Sequence, residues 1–438
     1  MLYSSWGAGV HETKALRSAA LLALLLCNCG PQYGGGGGSA GSVGEAGEAS
    51  SAGSGGSATA GASATGGGGT GDVGGSSPSA GSSPTSPSDE AVIGCEAAAW
   101  PDAGYLFQAP PVGEFSDRAE TLLGRFTAAG ISGDGKLVVG NSPDRPYSRG
   151  LPISWSLADG LVELPSPPYE TTAFQTSCDG SVVLEQDILP FQQVYRSSGP
   201  GEPVVVSIGS PPRAFVHANP DASIVVNGYG LGGEFGKNPL RWTAETGIQD
   251  LPALHENYVY GVAPDGALLA ADPTVLYEYD VESDVRSPVG MSPVDFGSYA
   301  TTSLVASADG NAWVQSADLN FDSFLVWRAP AEPRSVSCPT TCQVVDLSGT
   351  GLIALIDMAL APDDSRTSSW VWTKRDGLVD LTEAFQSRGF DLQGRKLRAA
   401  AMSDDGRAFA GYAFDPTIGG TGAGGLFFYG VLPAGVYE

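Results

Sequence analysis

From about residue 100 to its end, the chain repeats short stretches in which apolar and polar residues alternate. Each unit begins with small or apolar residues, continues through a turn with Asp-Gly or an equivalent, and resumes as an apolar run. A period of two is typical of a half-buried β-strand. Asp-Gly between two such runs indicates a hairpin, because glycine accepts a positive φ and aspartate tolerates it. The pattern therefore predicts paired strands, not helices.

The turns recur at a steady interval, which is the sequence signature of a repeat fold. Five intervals are 41 to 45 residues long and the last is 55. The central turn positions are Asp134, Asp179, Asp221, Asp265, Asp309, Thr350 and Asp405.

Each unit adds a third strand with an aromatic residue near its end: Trp155, Tyr195, Trp242, Tyr279, Trp327, Trp372 and Phe428. Three units continue into a fourth short strand, at Gly160–Leu164, Gly247–Leu251 and Gly377–Leu381. Four short strands in about 44 residues match one propeller blade, and blades must stack in a ring to bury their faces. We predict an all-β fold, a β-propeller of about seven four-stranded blades. Tyr105–Gln108 should pair into the last blade; six or eight blades are the alternatives.

The same units resemble the extracellular HAF-repeat proteins. The shared features are a Ser-x-Asp-Gly turn, a Val-Val-Gly-like strand, a Trp-Thr strand and a Gly-x-x-Asp-Leu close. The similarity is greatest from Trp370 to Pro433, where an insert at Thr382–Lys396 accounts for the long interval and Leu381–Arg388 is expected to form a short helix. The resemblance implies an exported β-propeller and brings no activity with it.

The front of the chain has the pattern of an export signal. Lys14 and Arg17 precede the apolar run Ser18–Leu26, which is too short to span a bilayer as a helix. Cys27 and Cys29 follow at once, as in the signals of bacterial lipoproteins, whose first mature residue is a lipidated cysteine. We expect lipidation at one of these two cysteines; ordinary cleavage and full secretion is the alternative.

Composition divides the rest of the chain in two. Residues 30–94 are dominated by Gly, Ser and Ala, a composition that cannot bury enough apolar surface to fold and acts as a flexible tether. The predicted domains are thus a signal peptide at 1–29, a disordered linker at 30–94 and the propeller at 95–438. The chain has 48 acidic and 22 basic residues, a formal net charge of −26. This charge disfavours nucleic acid as a partner, because it repels phosphate.

Four cysteines remain in the body and allow three pairings. Cys338 and Cys342 suit a local disulfide across a loop tip, which would leave Cys95 to pair with Cys178. Export makes such oxidation plausible. A zinc site is not expected, because neither His217 nor His255 has a second ligand at metal spacing.

Other candidate chemistry is weak. Asp318, Asn320 and Asp322 alternate like the oxygen ligands of a calcium loop but lack its closing acid. We interpret the repeated turn aspartates, such as Asp134 and Asp404, as turn formers and the third-strand aromatics as blade packing, with a sugar platform as the alternative for the latter. No catalytic residue and no cofactor is predicted.

These features predict an exported, envelope-tethered binding or surface-interaction module; they favour a non-enzymatic role and leave catalysis open. We expect a monomer that binds a protein or glycan and meets the membrane only through its N-terminal lipid. One alternative is a propeller hydrolase or lyase acting on polysaccharide, which requires acids converging on one face beside exposed aromatics. A purely structural envelope protein is the other.

Overall fold

A computed structural model describes residues 100–109, 126–142, 151–165, 171–187, 193–198, 203–207, 216–228, 238–255, 257–272, 275–291, 304–316, 321–328, 333–361, 364, 366–417 and 425–436. They form seven antiparallel sheets of four strands arranged in a ring. The predicted fold class and the blade count of seven are confirmed.

Three consecutive blades follow the repeat in chain order. Blade 1 has β2 (Thr127–Ile131), β3 (Leu137–Ser142), β4 (Leu151–Ser156) and β5 (Gly160–Glu163). Blade 2 has β6 (Thr171–Thr176), β7 (Val182–Asp187), β8 (Val194–Ser198) and β9 (Val204–Ser207). Blade 3 has β10 (Val216–Ala218), β11 (Ile224–Asn227), β12 (Leu240–Thr243) and β13 (Gly247–Asp250).

The next three blades have the same order. Blade 4 has β14 (Tyr258–Val262), β15 (Leu268–Ala271), β16 (Val275–Asp280) and β17 (Val285–Met291). Blade 5 has β18 (Leu304–Ala306), β19 (Ala312–Ser316), β20 (Ser323–Arg328) and β21 (Arg334–Ser337). Blade 6 has β22 (Cys342–Leu347), β23 (Ile353–Ala359), β24 (Thr367–Thr373) and β25 (Gly377–Asp380).

Blade 7 combines both ends of the described chain. Its first three strands are β26 (Lys396–Met402), β27 (Ala408–Phe414) and β28 (Leu426–Val431). The fourth is β1 (Tyr105–Gln108), which pairs antiparallel with β28 so that Tyr105 lies opposite Val431. The predicted closing strand is confirmed with the predicted bounds.

Among the described residues, helix occurs only in short connections. A 3₁₀ turn covers Pro252–Leu254 before β14. The expected helix in the insert is α1 (Leu381–Gln386), whose N-cap Asp380 accepts a hydrogen bond from the Thr382 amide. No helix among the described residues is long and apolar enough to cross a membrane.

The core lies between blades. Leu355 of blade 6 belongs to one buried cluster with Leu397 and Phe409 of blade 7, and Val138 of blade 1 belongs to another with Phe427 of blade 7. First strands of neighbouring blades contact each other, which places them around the ring axis. Each blade therefore buries its apolar faces against two neighbours.

The third-strand aromatics lie on β4, β8, β12, β16, β20, β24 and β28, one in each blade. All except the half-buried Trp327 are at most 7% exposed. Their interpretation as packing residues is therefore confirmed for six blades, and Trp327 differs.

A side-chain network explains the repeated Ser-x-Asp-Gly turn. In blade 1, Ser132 Oγ accepts the Leu137 amide at 2.9 Å and donates to Asp134 at 2.7 Å. Asp134 in turn accepts the Lys136 amide at 3.0 Å. The same three bonds recur in the turns of blades 2, 5 and 7. The turn aspartates therefore act as turn formers.

The residue after the turn aspartate has a positive φ in every blade. It is glycine in six blades and Ala222, at φ 51°, in blade 3. At Gly351 (φ 68°) an added Cβ would collide with Ala312 of blade 5, whereas at Gly377 (φ 71°) it would meet nothing within 4 Å. Substituting these two glycines therefore distinguishes two effects: the strain of a positive φ, present at both positions, and crowding between blades, present only at Gly351.

We predict that Gly351→Ala lowers the free energy of unfolding by about 3 kcal/mol, because it adds overpacking to the left-handed strain. The matched control Gly377→Ala should lower it by about 1 kcal/mol, from strain alone. Urea unfolding of both variants measures the difference. Equal losses would contradict the close contact between blades at Gly351.

Candidate functional site

The two ends of the ring are built differently. At one end, here called the turn end, the connection from first to second strand has five residues in every blade. At the other, the loop end, connections range from three residues (272–274) to eighteen (109–126). In repeat folds, variable connections on one face of a regular scaffold are where binding residues are commonly placed.

At the turn end, backbone hydrogen bonds join successive blades around the axis. The acceptor is the carbonyl of the residue just before the turn aspartate position of the next blade. Five of the seven junctions have such a bond among the described residues: Asp134 to Cys178, Cys178 to Pro220, Asp309 to Gly349, Gly349 to Asp404 and Asp404 to Gly133. The other two junctions run from blade 3 to blade 4 and from blade 4 to blade 5. In blades 3 and 4 the residue before the turn aspartate is Pro220 or Pro264, which has no N–H to donate.

Two carboxyl groups lie at the junction of blades 6, 7 and 1. Asp346 Oδ1 accepts the Leu347 amide at 2.8 Å, and its Oδ2 accepts the Met402 amide of blade 7 at 2.9 Å. The Asp404 carboxylate lies beside Gly133 and Gly349, and its Oδ2 is 3.6 Å from Cys178 Sγ. Glycine is required at both flanking positions, because a Cβ on either would collide with the Asp404 side chain.

The environment raises the pKa of both groups. Burial raises the pKa of Asp346 to about 7, against the effect of its two amide donors, and Asp404 adds a smaller repulsion. Burial raises the pKa of Asp404 to about 6, with added repulsion from Asp405 and Asp134. Both carboxyls therefore exchange protons near neutral pH, which is a property of functional sites but also of buried structural acids.

The contacts favour a structural role for this acidic group. Asp346 links the innermost strands of two blades through backbone amides. Burial raises the pKa of one aromatic residue, Tyr429, and the charges of Asp405 and Asp134 help to raise it. Tyr429 is buried and donates a hydrogen bond to the Gly135 carbonyl at 2.9 Å. Tyr429 therefore offers no exposed ring to a sugar. The acids converge, as the polysaccharide alternative requires, but this neighbour is not an exposed aromatic.

A partly buried ion pair joins blades 6 and 7 nearer the loop end. Asp357 on β23 accepts from Arg398 Nε on β26 at 2.6 Å and from Ser369 Oγ at 2.8 Å. Arg398 also donates to the Tyr412 hydroxyl at 2.6 Å. Burial lowers the pKa of Arg398, but the charges and hydrogen bonds of Asp357 and Tyr412 together outweigh it, and the net direction is upward. The pair fixes one blade against the next.

Glu185 on β7 is fully buried. It accepts hydrogen bonds from Thr171 Oγ1 at 2.8 Å and Ser197 Oγ at 2.9 Å. Burial raises its pKa more than these two donors lower it. Its inaccessibility argues against direct contact with a ligand.

Only some of the predicted site residues lie among the residues that the structure describes. The Cys338–Cys342 disulfide is present and its prediction is confirmed. Cys178 is also disulfide-bonded, with a partner outside the described residues, so its pairing with Cys95 stays a prediction. Cys27 and Cys29 likewise lie outside the described residues.

The weak calcium candidate is only partly described: Asp318 and Asn320 lie outside the described residues, and Asp322 is exposed. No group of three or more potential metal ligands occurs among the residues that the structure describes. His217 is enclosed by protein, and burial lowers its pKa to about 4. His255 Nδ1 is 2.8 Å from Asn238 Oδ1.

Sequence reasoning missed Asp346, Asp357 and Arg398. It interpreted Asp404 as a turn former, but Asp405 accepts the turn hydrogen bonds of blade 7. One signal was present: the seventh turn reads Ser-Asp-Asp-Gly, with Asp404 where other units have Gly, Cys, Pro or Ala. Asp346 follows a register shift in β22 between Val344 and Asp346, and nothing in the sequence marks that shift.

No family model and no curated protein matches the chain. Among solved structures, it is similar to a chain of the "Crystal Structure of Mitotic Checkpoint Complex", with 14% identity, TM-score 0.44, and coverage of 80% of this chain and 97% of that one. It is also similar to "TolB from Acinetobacter baumannii", with 10% identity, TM-score 0.41, and coverage of 56% and 63%. Similarities this low carry no argument about function.

The raised pKa values predict a pH dependence of stability. A carboxyl whose folded pKa lies above its unfolded value near 4 stabilises the fold fully below pH 4. That stabilisation is lost as pH rises through 6 to 7. We expect the wild-type protein to be less stable at pH 8 than at pH 5. Asp404→Asn should reduce that difference and raise stability at pH 8 by on the order of 2 kcal/mol.

Urea unfolding at the two pH values measures the effect. Asp280→Asn is the control, because hydrogen bonds from Ser283 and Glu282 lower the pKa of this exposed group. Asp280 therefore loses its proton below pH 5, so Asp280→Asn should leave the difference in stability between pH 5 and pH 8 unchanged. A pH dependence that Asp404→Asn leaves intact would refute the assignment.

Proposed function

We propose that the protein is an exported β-propeller, tethered to the cell envelope, that binds a protein or glycan through the loop end of its ring. The observation that carries the proposal is the difference between the two ends. At the turn end the first-to-second strand connections have five residues in all seven blades and the third-to-fourth connections have three to five, whereas the loop-end connections vary from three to eighteen residues. A regular scaffold with one variable face is the arrangement of a binding module.

Export is supported by the front of the chain and by the cysteines. A basic flank, a short apolar run and Cys27 and Cys29 precede the Gly/Ser/Ala segment. The Cys338–Cys342 bond and the oxidised Cys178 are typical of an oxidising compartment. The HAF-repeat resemblance points the same way. A lipid on one of the two cysteines would let the linker hold the ring away from the membrane.

Mass spectrometry of the mature N-terminus tests the tether. We expect a diacylglyceryl modification on Cys27 or Cys29, and release of the protein from the membrane fraction when both are changed to Ala. Changing only the unmodified cysteine is the control and should leave anchoring intact. A mature N-terminus further along the chain, without lipid, would show free secretion instead.

Binding at the loop end is tested with the purified mature protein on a glycan array and a panel of envelope proteins. Replacing residues 229–237, a loop-end connection, with a Gly/Ser segment of equal length should weaken binding of the identified ligand by about tenfold or more. The same replacement at residues 244–246, a turn-end connection in the same blade, should leave binding unchanged. The reverse result would place the ligand at the turn end.

A further inference from the structure

A cavity lies between blades 4 and 5. Its volume is about 20 Å³, enough for one or two water-sized groups. Its walls are mainly apolar and aromatic, from Leu276 of blade 4 and Leu304, Leu325, Trp313 and Trp327 of blade 5. Leu304 and Trp313 also belong to the buried cluster of this seam. The cavity is therefore part of the packing between two blades.

Two hydrogen-bond donors in the wall have no partner. Trp313 and Gln315 are each 4% exposed. The indole Nε1 of Trp313 and the amide Nε2 of Gln315 are both buried without a hydrogen bond. A buried donor left unsatisfied costs about 1–3 kcal/mol. Both residues line the same cavity, so one acceptor bound there is the simplest group that could satisfy both donors.

This seam departs from the repeat. Four residues after the turn position, the other blades have Val138, Val183, Val225, Leu269, Ala354 and Phe409, whereas blade 5 has Trp313. Trp313 lies opposite Trp327 across β19 and β20, with ring centroids 4.7 Å apart. Trp327 is also the half-buried exception among the third-strand aromatics. A local departure from an otherwise consistent repeat is where function is expected.

The chemistry of the walls selects the ligand. The two N–H groups donate hydrogen bonds and accept none, so the ligand must offer an acceptor such as a carbonyl oxygen. The described wall residues carry no charge, which disfavours an ionised group. The small volume admits a carbonyl with an attached methyl but not a whole ring. The half-buried indole of Trp327 offers an apolar face on which a sugar ring can pack outside the cavity.

We propose that the seam between blades 4 and 5 binds an N-acetylated sugar, with the acetyl group in the cavity and its carbonyl oxygen accepting from Trp313 Nε1 and Gln315 Nε2. This inference rests on the proposed binding function and names the ligand class of one site. It places that site in a seam between blades, separate from the loop-end connections tested above.

The test uses the mature protein with a trimer of N-acetylglucosamine and a trimer of glucose. Titration calorimetry and tryptophan fluorescence should show the acetylated trimer binding at least about tenfold more tightly. Gln315→Leu keeps the side-chain size but removes the donor, and should weaken binding about tenfold. Trp327→Phe should also weaken binding, whereas Trp372→Phe, the matched change in blade 6, should leave it unchanged.

Equal affinity for the two trimers, or no binding of either at millimolar concentration, would overturn the inference without relying on any variant. Binding of an acetyl-lysine peptide in preference to the acetylated trimer would overturn it as well. If another glycan or an envelope protein binds at the loop end in those cases, the proposed function stands and only the sugar assignment fails.

Discussion

The packing of each blade against its two neighbours is the constraint on which the rest of the structure depends. A single four-stranded blade leaves apolar faces in water, and only a closed ring covers all of them. Residues such as Leu355 and Leu397 belong to one cluster although they lie on different blades. Closure is completed by β1, which supplies the fourth strand of blade 7 and joins the two ends of the described chain.

Hydrogen bonds at the turn end fix the positions of the packed blades relative to one another. Serine and aspartate side chains satisfy the amides of each turn, and backbone bonds then connect turns around the axis. The close approach of blades there leaves room only for glycine at Gly133 and Gly349, because the Asp404 carboxyl occupies the space between them. Burial is the main cause of the raised pKa values of Asp346 and Asp404; repulsion from Asp404 adds to it at Asp346, and repulsion from Asp405 and Asp134 adds to it at Asp404.

Because the turn end fixes the ring, the connections at the loop end can vary in length. Connection length is constrained where turns contact each other around the axis and is unconstrained where they do not, so sequence change collects at the loop end. Within the blades the repeat is also uneven: blade 5 has two tryptophans facing each other, where blades 1, 3 and 6 have one tryptophan and one aliphatic residue. Such departures, not the shared fold, are where this propeller can differ in what it binds.

The sequence by itself determined the propeller fold, the turn positions, the closing strand at Tyr105–Gln108 and the local Cys338–Cys342 bond, and the structure decided for seven blades over six or eight. Each depends on residues near in sequence or on a repeated spacing, which a linear pattern records. It did not reveal the fourth strands β9, β17 and β21, whose composition is not distinctive, or the meeting of Asp346 with Met402 and of Asp357 with Arg398. Only the tertiary structure decided those, because ring closure and the register of neighbouring blades bring together residues that no local spacing connects.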